Sequence, residues 1–79
     1  MRCRTRVVRV ADNGDFGFLV NPEGSRARKV FLHISQFRDP DHLAYFSPGA
    51  LVEYDLILEP KGPAAHNAEV LSDDGGILQ

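Results

Sequence analysis

Two residue pairs stand out for the chemistry they could do together. Phe16 and Phe18 flank Gly17, and Phe31 and His33 flank Leu32. In an extended chain, residues two apart project from the same face. Each pair would therefore present flat, polarisable rings on one side of a strand, and Lys29 shares the alternation of Phe31 and His33. Rings displayed this way stack on other π-systems, and a nearby cation adds attraction for anions. Bond-breaking chemistry has no comparable signature. The three histidines and the single Cys3 are scattered without metal-ligand spacing, and no Ser/His/Asp set or carboxylate pair stands out. We therefore expect no enzyme, no metal and no cofactor, with His42 and His66 chemically idle.

The elements that must position these residues are strands. Gly or Pro interrupts most windows that could be helical, whereas five short runs alternate or are rich in β-branched residues. They are Thr5–Val10, Phe16–Val20, Lys29–Ile34, Leu51–Leu58 and Ala65–Leu71, separated by turn clusters such as "ADNGD", "NPEGS" and "EPKGP". That pattern predicts an all-β, five-stranded antiparallel barrel of the OB type. The longest connection, Ser35–Gly49, has room for one helical turn after Pro40. Residues 1–71 form the expected domain and residues 72–79 a flexible tail.

Alternation sorts the faces. In the third run Val30, Leu32 and Ile34 suit a core, while Lys29, Phe31 and His33 suit a surface. In the fourth, Val52, Tyr54, Leu56 and Leu58 alternate with Glu53, Asp55, Ile57 and Glu59. The second run is ambiguous, because either Phe16 and Phe18 or Gly17 and Leu19 could face inward. Pairing with the third run leaves two arrangements. The phenylalanines either join Phe31 and His33 outside or crowd a very small core already holding three aliphatics. The outward arrangement is the better fit, and it turns Gly17 toward a cramped interior. Nucleobases stack on such a platform for roughly 1–3 kcal/mol each.

Charge is unevenly distributed. Residues 1–38 carry eight basic and three acidic side chains, net +5, and residues 39–79 carry one basic and eight acidic, net −7. A basic face is an electrostatic footprint for phosphate, and Arg2, Arg4, Arg6 and Arg9 are the first candidates for it. The lone cysteine suggests a reducing, cytoplasmic setting, and no apolar run approaches a membrane span.

Three motifs in order, "FGFL", "VFLHIS" and "KGPAAHNAEVL", together with "PGALVEYDL", make residues from about Thr5 to Leu71 resemble a cold-shock domain. That family is a five-stranded OB-type barrel that binds single-stranded RNA and DNA. The resemblance implies a base-stacking site at Phe16, Phe18, Phe31 and His33, with Lys61 and Gly62 close to the nucleic acid. It departs at Arg9 and Val10, where the family carries a Trp-Phe pair, and at Ile34, where it carries another aromatic. Asp15 replaces a glycine and Lys29 replaces an acid. Arg9 could stack or pair with phosphate in place of the lost ring, and Phe37, Tyr45 and Phe46 are other rings available. The implied partner is single-stranded RNA or DNA, bound by a monomer or by a module of a longer chain in RNA-chaperone or regulatory work. The alternative is a diverged OB-type module that binds protein and has weak or no nucleic-acid affinity.

Overall fold

The computed structural model of the chain describes residues 1–72 and Gly76. Most of the expected tail lies outside the described residues. Five strands run in the order β1 (Arg2–Val10), β2 (Phe16–Leu19), β3 (Val30–His33), β4 (Leu51–Glu59) and β5 (Gly62–Leu71). They close into a barrel with neighbours β1-β2-β3-β5-β4, consistent with an OB-type fold. The barrel is not wholly antiparallel. β3 and β5 pair in parallel through Phe31 and Ala64, while the other four pairings are antiparallel. The long connection after β3 explains this, because it carries the chain across the barrel end before β4 begins, leaving β5 to run alongside β3. It contains two 3-10 segments, Ile34–Gln36 and the expected turn at Pro40–Tyr45, which Asp39 caps by accepting from the Asp41 N–H.

The core follows from alternation. Leu19, Val30, Leu32, Val52 and Tyr54 are fully buried, and Val7, Val70 and Ala68 join them. The buried Tyr54 hydroxyl is matched to Thr5 Oγ1 at 2.8 Å, so burial leaves no polar atom stranded. Phe37 and Phe46 pack edge to face, centroids 5.3 Å apart, and close the end of the barrel. Phe37 belongs to the buried core and Phe46 packs half-buried against it, so both rings are engaged with the core. Tyr45 is exposed but lies beside Ala50, Leu51 and Leu71. His42 is buried and its Nδ1 accepts the Val70 N–H at 3.0 Å, a structural role. Leu58 breaks the expected pattern. Its alternation says core, but it stands 81% exposed, beyond Asp55, where the pairing of β4 with β1 ends.

Two irregularities set which side chains reach the outer face. β1 bulges at Val8, so that Val7 opposes Leu19 and Arg9 opposes Phe18. A strict alternation would put Arg9 on the inner face with Cys3, Thr5 and Val7. The extra residue turns it outward and turns Val10 toward the core. A second bulge lies between Glu53 and Asp55 on the β4–β5 ladder, with Asn67 at φ 52°.

Candidate nucleic-acid interface

β2 and β3 are each four residues long, and their register places Phe16 opposite His33 and Phe18 opposite Phe31. The aromatics therefore meet on the outside while Leu19 and Val30 meet inside. Phe16, Phe18 and Phe31 form one cluster, with centroids 6.0, 5.5 and 5.9 Å apart. Two of the three contacts are edge to face, the arrangement the ring quadrupoles favour. Phe31 is 38% exposed.

Gly17 makes this outward display possible. A Cβ there would sit 2.6 Å from Cζ of Phe46 and 2.7 Å from the Arg9 carbonyl oxygen. β1 and β2 approach so closely that the residue between the two rings can have no side chain.

The register extends the platform beyond the rings. Reading across the barrel, Arg9, Phe18, Phe31, Ala64 and Ile57 lie in one row contributed by all five strands. At one end the Arg9 guanidinium lies 5.0 Å from the Phe18 centroid, a cation–π contact. At the other end Ile57 is 42% exposed and lengthens the apolar strip. His33 borders the rings and is exposed. Its Nδ1 accepts the Ser35 N–H at 3.1 Å, so the neutral ring carries its proton on Nε2.

Two clefts adjoin Phe18. The larger, about 460 Å³, has Phe18, Phe31, Pro63 and Ala64 as its apolar walls, and Lys61 and Gly62 stand at its edge. Lys61 and Gly62 are thus brought to the ring cluster by the tight β4–β5 turn, in which Glu59 opposes Gly62. The smaller, about 230 Å³, lies between Phe16, Phe18 and the Arg9–Asp12 segment. Arg28 also belongs here, although nothing in its sequence neighbourhood singled it out. Its Nη2 donates to the Lys61 carbonyl at 2.9 Å, tying the β2–β3 loop to the β4–β5 turn. A Cβ on Gly62, which has φ 131°, would come within 3.0 Å of that guanidinium.

The other arginines go elsewhere. Glu53 accepts from Arg2 at 3.0 Å and from Arg4 at 3.1 Å, and Arg38 meets Glu69 at 3.2 Å. Arg6 donates to the Gly49 carbonyl. Arg2 and Arg4 lie on the part of β1 that pairs with β4, whereas Arg9 lies on the part that pairs with β2. The four arginines are therefore not one phosphate-tracking series. The hydrogen bond from Arg2 holds the Glu53 carboxyl below its ordinary range, against the opposing pull of partial burial. Asp55 is lowered too, chiefly by a hydrogen bond from Asn67 and also by the charge of Arg2.

Val10 also differs from expectation. It is partly buried against the core, and of the pair Arg9 and Val10 the arginine is the one on the outer face. Among the described residues no cluster of three or more His, Cys, Asp or Glu could hold a metal ion. No protein-family model matches the chain, and no curated protein is similar enough to count as a relative.

Proposed function

We propose that the protein is a cold-shock-like binder of single-stranded RNA or DNA, working by equilibrium association without a bond-making step. The observation that carries this reading is the exposed cluster of Phe16, Phe18 and Phe31 on the outer face of a small closed barrel. In OB-type barrels the β2–β3 face and the loops beside it are where oligonucleotides bind. Stacking on aromatic side chains needs no fixed base sequence, which suits a flat platform with few directional groups. His33, presenting Nε2–H, offers a donor to base or phosphate, and Arg9 and Lys61 supply charge at opposite sides of the rings. A role in loosening weak RNA structure or in regulation follows from such binding, in a reducing cytoplasm that keeps Cys3 a thiol.

A protein-docking role would draw on the same aromatic platform or on the acidic outer face of β4, where Glu53 is already matched to Arg2 and Arg4. The aromatic face is the better-supported site. Fluorescence anisotropy with a labelled oligothymidylate tests it. Phe31→Ala is expected to weaken binding by about 1–3 kcal/mol, roughly 5- to 150-fold, with little change in melting temperature because the ring is partly exposed. An unchanged affinity would remove the platform from any binding role.

A further inference from the structure

The two clefts beside Phe18 differ in charge, and the difference points to a particular part of a strand. The smaller is bordered by Arg9 and Asp12, which cancel. The larger is bordered by Arg28, Lys29 and Lys61 against Glu59 alone. Glu59 Oε2 lies 2.9 Å from Nε2 of His66, and with Glu59 counted the lining carries three basic and one acidic side chain, net +2. Arg28 is held in place by its bond to the Lys61 carbonyl, which takes one of the five donors of its guanidinium. Asp15, next to Phe16, adds a negative charge toward the other end of the platform. The platform is therefore electrically polar along its length.

An internal phosphodiester carries a single negative charge. A terminal phosphomonoester carries about −1.5 to −2 near neutral pH and offers three acceptor oxygens. A lining of net +2 around one aromatic-walled cleft exceeds what one internal linkage would neutralise, and it matches the terminal group. We propose that this cleft binds the phosphomonoester at the end of a single strand, its nucleotide stacked on Phe31 and its phosphate met by Arg28, Lys29 and Lys61. The inference rests on the single-strand reading above and adds to it a preference for phosphorylated ends, and with that a fixed direction for the strand across the rings.

Three matched oligothymidylates of about seven nucleotides, within the range of site sizes of such barrels, provide the test. One has hydroxyl ends, one a 5′-phosphate and one a 3′-phosphate. Titrated into the full chain at low salt, one of the phosphorylated strands is expected to bind about tenfold tighter than the hydroxyl-ended strand. Which of them does so gives the strand direction. In Lys29→Ala that ratio is expected to fall to near one, while Arg38→Ala, which removes a cation paired with Glu69, leaves the ratio intact. Equal affinity for all three strands overturns the terminal site and leaves the stacking reading standing. A gain that survives Lys29→Ala also overturns it, because general charge attraction would then suffice. If none of the three binds, both readings fall together.

Discussion

Phe31 and Phe18 face each other across β2 and β3, and Arg9 lies over Phe18 from β1. Arg9 is therefore the residue at which the platform can be most directly strengthened. Arg9→Trp would replace a cation on the same outward position with a large ring, and oligonucleotide affinity is expected to rise by about 1–3 kcal/mol in an equilibrium titration. Gly17 sets the opposite kind of test. Gly17→Ala would drive a methyl group into Phe46 and, less forgivingly, into the Arg9 backbone carbonyl. The expected loss is about 1–3 kcal/mol of stability by urea denaturation, through forced separation of β1 and β2. The inward turn of Gly17 was legible from alternation and pairing together. The packing of Phe37 and Phe46 on the core was not, because both lie in an irregular connection where spacing carries no facial information.

At the scale of elements, β-branched runs, alternation and turn clusters together located all five strands, and alternation assigned β3 correctly, since Val30 and Leu32 are buried and Phe31 and His33 exposed. It failed at the bulge. One additional residue at Val8 reverses the faces of everything after it on β1, and no residue type announces it. Arg2, Arg4, Arg6 and Arg9 read as one series because they cluster in sequence, yet β1 pairs with β4 over Arg2–Arg6 and with β2 over Val7–Val10, so they serve two surfaces. The parallel β3–β5 pairing was equally hidden, being a consequence of where the long connection leads rather than of either strand's composition. The ion pairs joining β1 to β4 make a further prediction. Glu53 and Asp55 have carboxyl pKa values lowered by folding, so their pairing stabilises the barrel above the ordinary carboxylate range. That contribution is lost as pH falls through the lowered values. Thermal melts are expected to drop in midpoint below about pH 4, and Glu53→Gln is expected to flatten that drop.

For the whole molecule, the segregation of charge along the chain is largely undone by the fold. The basic start of β1 lies against acidic β4 and β5, which pairs Arg2 with Glu53, Asp55 and Glu69. What remains near the rings is the smaller set of Arg9, Arg28, Lys29 and Lys61. A net charge of −2 is thus compatible with a local site for an anionic strand. Screening should weaken that site with salt, whereas stacking should persist. We propose the outer face of β2 and β3 as the surface that meets a single strand. It is tested most directly by titrating the isotope-labelled protein with oligothymidylate at low salt and following every backbone amide. Shifts are expected to concentrate at Phe16–Leu19 and Val30–His33, with Arg2–Arg6 unmoved. Spectra that stay unchanged at millimolar oligonucleotide, or shifts confined to the β1–β4 ion-pair face, would contradict it.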